Sequence, residues 1–225
     1  MPSAFPRTPR FLKGALVAYE SQFLGPVPNV IVFQYNPAQL SRTLAHRTPP
    51  PDPSNQGSAR EDVYRVQGPP VETINITVEL DAADQLAEPA LHPHVVAHGL
   101  QPALAALELL LYPPSSQFLD LRSLAQTGEA QMCPPDVPLV LFVWGPSRVL
   151  PVRLTEFSVT EKAFDQLLNP IQAEVSLGMR VLTYMELKET SLGYLAGIAI
   201  QAQKEGLARL NLANAAGQIL DLIPF

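Results

Sequence analysis

The clearest signal along the chain is alternation. In the segment VETINITVEL, residues 71–80, Ile74, Ile76, Val78 and Leu80 fall on one side and Thr73, Asn75, Thr77 and Glu79 on the other. That period of two predicts a half-buried strand. The longest pattern is IQAEVSLGMRVLTYMEL, in which Ile171, Ala173, Val175, Leu177, Met179 and Val181 share one face. Gln172, Glu174, Ser176 and Arg180 take the other face. Only AFDQLLNP separates this run from LPVRLTEFSVTEK, so the two predict a long antiparallel hairpin with a loop at its tip. Residues 11–20 and 29–35 read as two more strands joined by the turn-rich LGPVPN, and LVLFVWG as a short buried strand.

Helical spacing appears in two places. VVAHGLQPALAALELLLY repeats Leu100, Leu104, Leu107 and Leu111 at intervals of three and four, which predicts one helix with Pro102 near its first turn. FLDLRSLAQ reads as another short helical piece. Residues 191–216 are rich in Ala, Leu and Gln and predict a helix whose apolar stripe is Leu192, Leu195, Ala199, Ala202 and Leu210, weakened by Gly193, Gly197 and Gly206. Residues 48–70 are mostly breakers and polar side chains and read as a long surface loop. The expected organisation is a β domain over 1–188, with a loop at about 46–70 and a helical insertion at about 95–125. A C-terminal extension over 189–225 follows, ending in the apolar ILDLIPF. Its Ile219, Leu220, Leu222, Ile223 and Phe225 are expected to dock onto a partner.

One stretch resists a simple label. VFQYNPAQLSRT runs apolar, stops at Asn36-Pro37 and turns polar. Asn36 is expected to satisfy backbone groups locally, and Pro37 cannot donate to a ladder, so the strand must end or bend there.

Composition narrows the classes. With 24 prolines among 225 residues, the proline share is about twice the average of ~5%, which favours strands and loops over a helical bundle. A net charge of −6 gives no long-range attraction for nucleic acid or an anionic membrane surface. The single cysteine, Cys133, excludes an internal disulfide framework and a multi-cysteine zinc site. The basic N-terminal residues precede too short an apolar run for a secretion signal, and no stretch reaches the length of a membrane span. The expected location is the cytoplasm at synthesis.

Candidate chemistry is sparse. HPHVVAH holds His92, His94 and His98, the best metal-ligand candidates, although Pro93 separates the first two. Solvated or capping histidines are the ordinary alternative. No nucleophile elbow, dinucleotide fingerprint or phosphate loop occurs, and the expectation is neither enzyme nor cofactor. A His-dependent metal hydrolase or a carbohydrate-binding protein is the alternative from another class.

Four segments in order carry a resemblance: FQYNPAQLSRT, VQGPPVETINITVELD, LVLFVWG and LTEFSVTEKAFDQLLNPIQAEVSLGMRV. Together they resemble the tube-domain proteins of contractile injection systems, relatives of phage tail baseplates. The matching positions are Phe33, Asn36, Pro37, Leu40, Ser41, Gly68, Pro69, Asp81, Trp144, Gly145, Phe164, Asp165, Pro170 and Ala173. The resemblance spans about residues 12–187. It implies a mainly β (α+β) fold, a tail-tube-like antiparallel β-barrel or sandwich with a flanking helix. It also implies a structural homo-oligomer, a ring expected to be a hexamer, that adapts the spike or hub protein to the inner tube proteins and templates tube assembly. Baseplate wedge or sheath components are the further partners, with no nucleic acid and no direct membrane insertion. An inner tube or tube-initiator subunit of the same machine is the alternative. Several members carry a LysM module after the tube domain; residues after Leu187 contain none, so peptidoglycan binding is not carried over.

Overall fold

The computed structural model describes residues 12–19, 29–47, 66, 68–113, 115, 117 and 137–222, with side chains in the last helix described as far as Asn211. Cys133, the FLDLRSLAQ piece, residues 48–65, Ile223 and Phe225 lie outside the described residues. The elements in chain order are β1 (Ala15–Tyr19), β2 (Asn29–Val32), β3 (Leu40–Ala45), β4 (Val71–Asp81), α1 (Ala83–Leu86), α2 (Pro93–His98) and α3 (Gln101–Glu108). They continue with β5 (Leu139–Val143), β6 (Val149–Phe164), β7 (Pro170–Val181) and α4 (Leu192–Leu222).

All seven strands belong to one antiparallel sheet in the order β2-β1-β5-β6-β7-β4-β3. The alternation read from sequence sets its faces. Ile74, Ile76 and Val78 of β4 and Ala173, Val175, Leu177, Met179 and Val181 of β7 are buried. Asn75, Thr77 and Glu79 between them are exposed. In register, Ile76 sits opposite Leu177 and Val78 opposite Val175, so each pair adds to one continuous apolar face. β6 carries an irregularity between Leu154 and Glu156, after which the parity shifts and Phe157 and Val159 become its inward residues.

This sheet is strongly curled, and residues 33–39 show why. They lead from β2 at one edge to β3 at the other. Phe33 donates its N–H to the Gly14 carbonyl at 2.9 Å, beside β1. The next residue is already at the far side: Gln34 Nε2 donates to the Asp81 carbonyl at 2.6 Å, and Asp81 N–H donates to Gln34 Oε1 at 2.9 Å. In ladder order β1 and β4 are four strand spacings apart, about 19 Å in a flat sheet. Consecutive Cα atoms are only ~3.8 Å apart, so the two strands must have been brought round to face each other.

Asn36 completes the corner. Its Oδ1 accepts from Gly14 N–H at 2.9 Å and its Nδ2 donates to the Leu12 carbonyl at 2.8 Å. A side-chain amide thus supplies the rung that β2 no longer provides. The expected local role for Asn36 is replaced by one spanning more than twenty residues. Phe33 points inward, fully buried, against Phe142, whose ring stacks on Trp144 at 5.7 Å. Gly14 lets this cluster close up, since a Cβ there would lie 2.8 Å from both Phe33 and Trp144.

The helices fill the two ends of the curl. α1–α3 lie where β4 finishes and β7 begins, tied by Ala82 N–H to Ile171 O at 2.9 Å and Leu100 N–H to Pro170 O at 2.8 Å. Val95, Leu100, Leu104, Leu107 and Leu110 join the core from there. The single helix expected over this region is broken at Gly99, where a left-handed φ of +56 favours glycine and a Cβ would also strike the Pro170 carbonyl. At the opposite end lies α4. Its contact face is the reverse of the expected one: Gly193 packs on Leu139 and Leu187, and Ile200 reaches the core. Leu192, Leu195, Ala199, Ala202 and Leu210 are exposed. Glycines that weaken an isolated helix here permit its close approach to the sheet.

The corner yields a direct test. Asn36→Ala should lower the stability to urea by about 1–2 kcal/mol, because Gly14 N–H loses its partner in a half-buried setting. Asn75→Ala, on the exposed face of β4, should change it by no more than ~0.5 kcal/mol.

Candidate assembly surface

The β6–β7 hairpin ends in the five-residue loop 165–169, and one carboxylate organises it. Asp165 Oδ1 accepts from Leu167 N–H at 2.7 Å and Asn169 N–H at 2.8 Å, while Oδ2 accepts from Asn169 Nδ2 at 2.8 Å. The backbone adds Asp165 N–H to Asn169 O at 2.9 Å and Leu168 N–H to Asp165 O at 3.1 Å. The side-chain and backbone hydrogen bonds from Asn169 are the main cause holding the Asp165 carboxyl below its ordinary range.

Within this loop Leu168 adopts φ +64, a left-handed conformation that costs a residue other than glycine roughly 1–2 kcal/mol. Packing does not offset it, since Leu167 is 76% and Leu168 79% exposed. Phe164, at the base of the loop and opposite Pro170, is also exposed. The tip is braced from behind by Asn169 Nδ2, which reaches the Ala97 carbonyl of α2 at 3.4 Å. The result is a rigid loop presenting two leucines to solvent.

The outer sheet face next to the hairpin is polar. A cavity of about 360 Å3 is lined by Ser41, Asn75, Thr77, Glu156, Ser158 and Ser176, among others. Gly178 makes room for Glu156, whose Cβ would lie 2.8 Å from a Cβ at that position. A second hollow of about 320 Å3 runs on beneath residues 35–39, over Thr77, Glu79 and Glu174. Glu79 and Glu174 are cross-strand neighbours, and Lys162 Nζ on Glu174 at 2.5 Å offsets their repulsion. Its hydrogen bond and charge from Glu174 raise the Lys162 ammonium above its ordinary range.

The other residues singled out in the sequence sit at turns. Gly68 takes φ +98 against Met185, and the Pro69 carbonyl accepts from Arg47 Nε at 3.1 Å at the entry to β4. Gly145 takes φ +78 in the β5–β6 turn, which Trp144 N–H closes on the Arg148 carbonyl at 2.8 Å. Pro170 and Ala173 are buried at the start of β7. His92 precedes α2 without capping it through its side chain, and its ring meets that of His94 edge-on at 6.2 Å. His98 lies in the last turn of α2. Among the described residues no three His, Cys, Asp or Glu side chains gather as a metal site. Ile219, Leu220 and Leu222 fall in the last turns of α4. No helix among the described residues is long and apolar enough to cross a membrane.

Sequence reasoning missed Glu72. It shares the inward parity of Ile74 and Ile76 and is 4% exposed. It faces the end of the curl that α4 crosses. Glu72 Oε1 accepts from Arg42 Nε of β3 at 2.7 Å, and Oε2 from Lys204 Nζ of α4 at 3.1 Å. Burial by itself raises a carboxyl, but the hydrogen bonds and charges of Arg42 and Lys204 outweigh it and hold Glu72 below the ordinary range. The pattern signal was there: a charge at an inward position demands a partner. Nothing local identified the partners, which lie 30 and 132 residues away.

Because the folded value is depressed, the stabilisation from Glu72 is present above the unfolded carboxyl value of 4.5 and is lost as pH falls through the folded value. Glu72→Gln should therefore cost about 1–3 kcal/mol at neutral pH. Urea midpoints compared at descending pH should show the gap between variant and parent closing under acid; a constant gap would sink this assignment.

No family model and no curated protein matches the chain.

Proposed function

We propose that the chain is a structural baseplate hub or tube adaptor of a contractile injection system, forming a ring that joins the spike to the inner tube and templates tube assembly. The observation that carries this reading is the hairpin tip. A loop fixed by Asp165 and Asn169 keeps Leu168 in a strained conformation while displaying it and Leu167 to water. Strain held at an exposed apolar tip gains its return when a neighbouring subunit covers the leucines.

Three further points support it. The curled seven-stranded antiparallel sheet suits the tail-tube-like barrel that the resemblance implies. Asn36-Pro37, Gly68-Pro69, Trp144-Gly145 and Asp165 all stand at corners or turns that set where strands begin and end. Among the described strands β2 and β3 pair on one side only, leaving edges to which another chain can add. The 31-residue α4 favours the adaptor over a bulk tube subunit, since it adds a long element with an exposed apolar side.

The mechanism is mechanical. Subunits close into a ring through sheet edges, and the hairpin tip seats against the next layer, so that axial thrust passes through β6 and β7.

Leu168→Gly separates this role from simple folding. Removing the side chain relieves the left-handed strain, so stability should rise by about 0.4–1 kcal/mol. Assembly should weaken, read as fewer rings and stacks in electron micrographs and a lower mass by light scattering. Leu167→Ser combined with Leu168→Ser should abolish stacking with the fold retained. A parent protein that stays a single chain at every concentration, alone and with co-expressed tube subunits, would overturn the proposal.

A further inference from the structure

The end of the curl crossed by α4 holds a compact group of charges that the assembly reading does not use. A cavity of about 180 Å3 opens between β3, the β5–β6 turn and α4. Its charged lining is Arg42, Glu72, Arg148 and Lys204, with Leu150 and Leu207 among its apolar residues. Three cations against one carboxylate leave an excess of two positive charges, on a chain whose net charge is −6.

The single carboxylate is already committed. Glu72 gives one oxygen to Arg42 and the other to Lys204 and is itself buried, so it fixes both cations in place. Arg148 has no hydrogen-bond or ion-pair partner for its guanidinium among the described residues. Its backbone is held by the Trp144–Arg148 turn closure, and the residue is half-buried. A guanidinium fork at the cavity wall, beside two cations anchored by Glu72, is a donor set that can receive an anion bidentately.

We propose that this cavity receives a carboxylate side chain presented by an acidic segment of a partner protein, with Arg148 as its principal donor. Size selects a single side chain, because 180 Å3 is below the ~300 Å3 at which drug-sized ligand sites begin. The apolar lining selects a peptide over a free anion. Leu150 is buried at the cavity wall and Leu207 is exposed, offering contact to the methylenes of a glutamate and to an apolar neighbour. The site is built from one chain and needs no ring, so its failure and the failure of the assembly reading are separate results.

The test is fluorescence anisotropy on the full chain at low ionic strength, with a labelled peptide alternating leucine and glutamate and its glutamine counterpart. The glutamate peptide should bind and the glutamine peptide should not. Arg148→Gln should weaken binding about tenfold or more, the loss of a charge-assisted pair, with melting unchanged. Should Arg148→Gln lose its melting transition, Leu207→Glu serves instead, placing a repelling carboxylate at the cavity and weakening the same peptide. Equal binding of both peptides, or unchanged affinity in Arg148→Gln, overturns the proposal. Full displacement by inorganic phosphate also overturns it, since the cavity would then be a free-anion site.

Discussion

Everything in this fold depends on how few residues join the two edges of the sheet. Seven residues, 33–39, separate β2 from β3. A flat sheet of seven strands would put those edges about 29 Å apart. Even fully extended, the connection would barely reach, at ~3.3–3.6 Å per residue, and it bends at Gln34, Tyr35 and Ala38. Curling is the solution, and it creates an interior for Phe33, Phe142 and the apolar faces of β4 and β7. The side-chain amides of Gln34 and Asn36 then stand in for backbone rungs at the places where curling strips partners from β1 and β4.

A curled sheet has two open ends, and each is closed by helix at a local cost. At one end Gly99 adopts φ +56 so that the junction of α2 and α3 can touch the Pro170 carbonyl. At the other, Gly193 forgoes a side chain so that α4 can lie on Leu139, and Lys204 supplies the charge that Glu72 requires. The hairpin tip differs from both. There the strained residue is a leucine, and no packing among the described residues repays it. That contrast is why the tip, and not the ends, supports a reading as a surface for assembly.

Much of the fold was legible in the residues, unevenly. The parity of Ile74, Ile76 and Val78, and of Ala173 to Val181, is a local property of extended backbone, so the strands and their inward faces could be read directly. The hairpin could be read for the same reason, because two long alternating runs flank a short loop. The apolar stripe of α4 was read and its direction was not: Leu192, Leu195 and Leu210 face water. Helical periodicity shows that a face exists, but close packing rewards small residues as well as large ones, and the glycines won. His92, His94 and His98 were ligand candidates because they are near in sequence, whereas a metal site needs convergence in space, and among the described residues no such group of three forms.

The sequence by itself determined a mainly β chain, its pairing hairpin, the inward faces of β4 and β7 and the corner at Asn36-Pro37. Each follows from constraints that act between neighbours: side-chain alternation, the missing N–H of proline and the reach of a short loop. Only the tertiary structure decided which backbone groups Asn36 and Gln34 satisfy, which cations neutralise Glu72 and which side of α4 meets the sheet. Those outcomes join residues 22 to 132 positions apart. Their physical cause is the curl, which brings distant groups within hydrogen-bond reach and leaves no local pattern to record it.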